Sequence, residues 1–156
     1  MTIIVMGADA IDRSTFGGAG YTFLNEENPA NASGTIDTVE IYANSEMSGI
    51  KVGTFYGSGT SWTLRDYTTV GTAASGEKTT YTGLNIQVEE GDLIGIYYTG
   101  GLIEKDTSGA LGLLTYSGDA FDGGTYTYTE DSDGAVSLYA SGSTTPPAFM
   151  KPIKIW

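Results

Sequence analysis

A chain of 156 residues with 40 % hydrophobic content is long enough for one domain with a real core, since chains of about 150 residues bury roughly 70 % of their unfolded surface. With 19 acidic against 7 basic side chains the formal charge is -12, a field that repels phosphate backbones and anionic lipid and so argues against nucleic acid or a membrane as partner. Histidine and cysteine are both absent, which excludes Ser-His-Asp and Cys-His catalysis, thiolate zinc centres and disulfide frameworks, and leaves oxygen-ligated cations as the metals to consider.

Glycine (23), tyrosine (11) and abundant threonine favour pleated strands joined by tight turns over helices. The opening MTIIVMGADAIDR has no basic stretch ahead of its short apolar run, so it does not read as a signal peptide, and no run reaches transmembrane length. The next stretch, GADAIDRSTFGGAGYTFLNEENPANASG, has few periodic apolar residues and several loop signals, with Asn28 before Pro29 marking a turn. A long opening loop over one end of the fold is expected there.

Strand patterns follow in short order. TIDTVEIYA places Ile36, Val39 and Ile41 in a strand with one register irregularity, and SGIKVGTFYG alternates Ile50, Val52, Thr54 and Tyr56 on one face. TSWTLRDYTTVG carries Trp62 and Leu64, then a bulge before Tyr67 and Val70; YTGLNIQV aligns Leu84, Ile86 and Val88. In EEGDLIGIYY, Gly91 provides the backbone freedom of a turn and Asp92 opens the next strand. GALGLLTYSG, GTYTYTE and GAVSLYASG are each short and closed by turn residues.

At least eight strands spaced about 8 to 12 residues apart predict an all-β fold: a two-sheet antiparallel β-sandwich, jelly-roll-like, with extended N- and C-terminal segments. Residues 1–142 form the single sandwich domain, and 143–156 a Pro-containing extended C-terminal arm. Pro146, Pro147 and Pro152 cannot donate ladder hydrogen bonds. The arm's Phe149, Met150, Ile153, Ile155 and Trp156 stand beside Lys151 and Lys154, an apolar and basic strip on an acidic protein. It suits a strap on its own domain or an assembly anchor docking on a neighbouring subunit by strand addition.

Three groups of side chains are candidates for a site. Glu89, Glu90, Asp92, Glu104 and Asp106 could supply the carboxylate pair of a glycosidase, but their places in and around turns read as solvated strand ends, and no enzymatic activity is expected. Asp131 and Asp133 in EDSDGAVS have half the spacing of a calcium loop, while Asp133-Gly134 is equally a type I′ hairpin signal between TYTYT and AVSLY. GDAFDGG is a second acidic loop of the same kind. Calcium is thus the one cofactor considered. Trp62, Tyr97, Tyr98, Tyr126 and Tyr128 could stack on sugar rings, although aromatic cross-strand pairs stabilise sheets without any ligand. Adjacent Tyr97 and Tyr98 must point to opposite faces, one into the core. The glycine-rich STFGGAGYTF and YGSGTSW lack the lysine and strand-to-helix setting of a phosphate loop.

The order NPANASGTIDTVEIYA, GIKVGTFYG, TLRDYTTVG, YTGLNIQVEEGDLIGIYYTGGLIEKDTSG and AVSLYASG resembles a β-sandwich domain of tailed-phage and environmental viral structural proteins, over about Asp12 to Gly142. The resemblance rests on the NPAN turn, the KVGTF strand, and the IGIYY and DTSG segments. It implies a non-enzymatic virion structural protein, a capsid decoration, minor capsid or fibre module, exposed on the virion surface after synthesis in the host cytoplasm. Its partners would be further copies of itself or a major capsid or other virion protein, in an oligomer. The alternative is a carbohydrate-binding or host-attachment module working through exposed aromatic residues and glycans.

Overall fold

The structure, a computed structural model, describes residues 1–144. These contain fourteen strands and no helix: β1 (Ile3–Gly7), β2 (Thr15–Gly17), β3 (Thr22–Asn25), β4 (Gly34–Ser58), β5 (Ser61–Ala73), β6 (Lys78–Tyr81), β7 (Ile86–Val88), β8 (Leu93–Tyr97), β9 (Gly100–Asp106), β10 (Leu113–Tyr116), β11 (Thr125–Thr127), β12 (Thr129–Asp131), β13 (Ala135–Val136) and β14 (Leu138–Thr144). The fold is all-β, antiparallel and sandwich-like, as the strand periodicity predicts.

The 25-residue β4 organises it. Its first part pairs with β14 on one side and with β6 and β7 on the other; its middle pairs with β9; its last part pairs with β5 and β8. One layer therefore runs β1-β14-β4 and on to β6 and β7, and the other β5-β4-β8-β3-β10-β12. Strand β4 passes from the first to the second through register shifts on both sides of Gly49, whose φ of +63° falls in the left-handed region. A side chain there would also strike Thr99. Bulges and glycine are how a strand turns the corner between packed sheets. The hydrogen-bonded ladder is consequently continuous through β4, a feature no local pattern announces.

The main core lies between the layers. Ile4, Met6, Ile36, Val39, Ile41 and Leu138 from one side meet Phe23, Ile50, Val52, Ile94, Ile96 and Leu113 from the other. A second apolar cluster covers the outer face of the second layer: Leu24, Phe55, Leu93 and Leu114 pack beneath Trp62, Ala120, Phe121 and Tyr128. Phe121 meets Phe55 edge-on, ring centroids 5.2 Å apart at 89°, the arrangement the ring quadrupoles favour. The stretch from Ser117 to Tyr128 thus acts as a strap over the sheet.

This second core explains where the sequence expectations fail. The opening stretch is not a long loop: it contributes β2 and β3, and β3 is an interior strand between β8 and β10 with all four residues buried. Strands buried on both faces lose the alternation by which a strand is recognised. GTYTYTE is not one strand but two, since β11 pairs with β5 and β12 with β10, the chain kinking at the buried Tyr128. Asp133-Gly134 does not close a hairpin, because β12 and β13 pair with β10 and β9 rather than with each other. Tyr56, expected on one face with Ile50, Val52 and Thr54, is exposed at the strand end, while the adjacent Phe55 is buried in the second core.

Other expectations hold. The irregularity in TIDTVEIYA is a bulge at Asp37, passed over between Ile36↔Gly142 and Thr38↔Ser141. The bulge before Tyr67 falls at Arg65, between Phe55↔Leu64 and Thr54↔Asp66. Gly91 has φ +92° and the Asp92 N–H donates to the Glu89 carbonyl, closing the turn ahead of β8. At the C-terminal boundary β14 runs through Thr144, two residues beyond the expected edge of the sandwich at 142. The proposed anchor residues Phe149, Met150, Ile153, Ile155 and Trp156 lie outside the described residues.

Candidate functional site

The carboxylates that resemble a catalytic pair are fastened to the fold. Asp92, buried, receives a two-pronged contact from Arg65, Nε to Oδ2 at 2.6 Å and Nη2 to Oδ1 at 3.0 Å, and also the backbone N–H of Glu89 at 3.0 Å. That same bond to Asp92 raises the Arg65 pKa above its ordinary value. Glu104, equally buried, accepts the Arg13 backbone N–H at 2.7 Å and the Asn44 side-chain amide at 2.6 Å. Burial pushes Asp106 upward, but the Ser14 N–H and hydroxyl and the Arg13 guanidinium outweigh it and hold the carboxyl below its usual range. So Asp92 and Glu104 are not solvated strand ends, as the sequence suggests; each is a buried acceptor whose partners arrive from distant segments.

The glycan candidates divide by burial. Tyr98 is fully buried with its hydroxyl donating to the Gly17 carbonyl, and burial raises its pKa. Trp62 is 8 % exposed, its indole N–H donating to the Gly59 carbonyl at 2.9 Å. Tyr128 is buried, and among the described residues its hydroxyl has no hydrogen-bond partner. As placed, these three offer no ring face to a sugar: Tyr98 lies in the main core, and Trp62 and Tyr128 lie in the second core that the sequence did not reveal. Tyr97 and Tyr126 are half-buried against that core. The Tyr126 hydroxyl donates to Asp122, which pushes the phenol up to about 12 and draws the carboxyl down. Of the adjacent pair, of which one was expected in the core and the other exposed, Tyr98 is in the core, whereas Tyr97 is half-buried rather than exposed.

Asp131 and Asp133 share only local bonds, the Asp133 N–H donating to Asp131 Oδ1 at 3.3 Å. Among the described residues no group of three or more Asp and Glu side chains converges as a cation site. Close by, Glu26 and Glu130 meet across Gly112, and burial first, then the bond to Glu130 and its charge, raise the Glu26 pKa to about 7.

An open cleft of about 180 Å³ lies where β2 and β9 meet β3 and β10, lined by Phe16, Gly17, Gly18, Tyr21, Phe23, Lys105 and Thr115. Tyr21 stands 6.1 Å from Phe23, centroid to centroid, and Lys105 Nζ lies 5.8 Å from the Phe23 centroid. Strand parity builds this arrangement: Glu104 and Asp106 point to the Arg13 side of β9, and Lys105 between them points to the other. The sequence drew notice to STFGGAGYTF only as a phosphate loop, which it does not make, and Lys105 is hidden between two acids in IEKD. The available signal was the aromatic pair in GAGYTF. No protein-family model and no curated protein matches the chain.

Proposed function

We propose that this protein is a non-enzymatic virion structural component, a capsid decoration or minor capsid protein that docks on its particle through its terminal segments. The observation that supports this most is the meeting of the two ends of the described chain. The Thr144 N–H donates to the Thr2 carbonyl at 3.0 Å and the Thr2 N–H to Thr144 Oγ1 at 3.0 Å, so the last described residue lies beside the second at one pole of the fold. On this reading attachment is concentrated at that pole, where Thr2 and Thr144 meet.

The body itself is protected against promiscuous pairing at that pole. Strand β1 is the last strand of its layer, and an open edge there would recruit other strands. Its outward Val5 N–H donates to Asn31 Oδ1 and its Ile3 carbonyl accepts the Asn31 amide, both at 2.9 Å, while the Gly7 N–H turns to the carbonyls of Glu27 and Asn28. The NPAN segment therefore occupies the edge, which supports giving the docking role to the apolar and basic residues Phe149 to Trp156 rather than to β1.

Deleting Pro146 to Trp156 is expected to leave a folded monomer that no longer self-associates or joins particles, read by light scattering after gel filtration and by electron microscopy. Assembly retained by the truncated chain refutes the anchor. The second reading, attachment to glycans, draws support from the cleft beside Tyr21 rather than from the buried aromatic residues.

A further inference from the structure

We propose that the cleft between β2, β9, β3 and β10 binds a six-membered sugar ring bearing a carboxylate, a uronic or sialic acid unit. This inference is independent of the particle role and of the segment 145–156.

The first argument is charge. Five cationic side chains lie among the described residues, and four are neutralised: Arg13 by Asp106, Lys51 by Asp119, Arg65 by Asp92 and Glu89, and Lys78 by Glu40. Lys105 alone of these has no carboxylate of the described residues within ion-pair distance. On a chain of net charge -12 that isolation is informative, since acidic neighbours abound; strand alternation aims the ammonium away from both adjoining acids and into the cleft.

The second argument is the setting of that ammonium. Lys51 and Arg65 also sit beside rings, Lys51 at 5.3 Å from the Tyr97 centroid and Arg65 at 4.7 Å from that of Tyr56, but each already holds a carboxylate. Lys105 combines a ring beneath it with uncompensated charge. The neighbouring Tyr21 is 41 % exposed and provides an apolar surface for the C–H face of a sugar. Gly18 leaves the rim without a side chain, allowing a ligand close to the backbone, while the Phe23 ring fills the space beside Gly17; the Thr115 hydroxyl provides a donor and acceptor for ring hydroxyls.

The third argument is size. A cleft of about 180 Å³ is smaller than the roughly 300 to 1,000 Å³ of sites that enclose drug-sized ligands. It admits one ring and leaves the rest of an oligosaccharide in solvent. A single carboxylate per ring matches a single ammonium, whereas the field of the whole chain repels denser polyanions such as nucleic acid.

The test is calorimetric titration of the full chain, at low ionic strength, with trigalacturonic acid and with sialyllactose, each against its neutral counterpart. Saturable binding of at least one acidic probe, about tenfold or more tighter than its neutral counterpart, is expected. Lys105→Gln should abolish that preference, Lys105→Arg should keep it, and Tyr21→Ala should weaken acidic and neutral probes together. Lys51→Gln, remote in role, should bind as the parent does. Thermal melting establishes that each variant is folded. Absence of saturable binding of both acidic probes to the parent chain overturns the proposal, as does an acidic preference that survives in folded Lys105→Gln.

Discussion

Replacing Arg65 by methionine tests whether the carboxylates of EEGD are structural. The substitution keeps most of the aliphatic stem and removes the charge. Asp92, whose side chain is 3 % exposed, would then lose both side-chain donors and retain the Glu89 N–H. Two unit charges about 4 Å apart attract by roughly 4 kcal/mol at an effective dielectric near 20, and stripping a buried carboxylate of its partner costs about 3 to 5 kcal/mol. Glu89, largely in solvent, adds little to this. Because Arg65 is itself partly open to water, the lower end applies, and we expect a loss of about 3 kcal/mol. Urea denaturation at neutral pH, fitted for midpoint and slope, measures it. Arg65→Met combined with Asp92→Leu should cost less than the sum of the two single changes, since the pair is then replaced by apolar groups. A loss below about 1 kcal/mol for Arg65→Met, or strict additivity in the double variant, refutes the reasoning.

Two further outcomes follow from the same packing. Glu26 holds its proton with a pKa of about 7 in the folded chain against an ordinary 4.5, so the folded state binds more protons between those values and stability falls as pH rises from about 4.5 to 7. Solvent screening limits the effect to about 1 kcal/mol, and Glu130→Gln should flatten the slope of urea midpoint against pH; an unchanged slope would show that the two carboxyls do not interact. Gly95→Ala, in the middle of β8, would drive a methyl into the side chains of Leu24 and Phe55, costing about 1 to 3 kcal/mol by overpacking. Partial recovery by Phe55→Leu, seen in thermal melts, distinguishes that collision from a backbone effect, and parent-like stability of Gly95→Ala would disprove it.

Strand content, the antiparallel class and several local irregularities were legible in the sequence because they depend on neighbours in the chain. Alternation in TIDTVEIYA and SGIKVGTFYG identified the two halves of β4, and the extra residue at Arg65 showed as a break in that alternation. Gly91 announced its turn because a left-handed φ is a local demand. The same logic misread β3, whose four buried residues present no exposed face, and it took Trp62, Tyr98 and Tyr128 for possible exposed rings.

What the sequence by itself determined is therefore the material of the fold: an acidic, strand-rich chain without histidine or cysteine, and the turns that cut it into strands. Only the tertiary structure decided which faces those strands share. The strap from Ser117 to Tyr128 buries a sheet face that periodicity alone leaves open, and it does so through contacts distant in sequence. Arg13 and Arg65 likewise claim their carboxylates from 93 and 27 residues away, which makes Asp106 and Asp92 fasteners between distant segments. Lys105 is left uncompensated for the same reason: charge compensation depends on direction in space, and adjacent residues of a strand point to opposite sides.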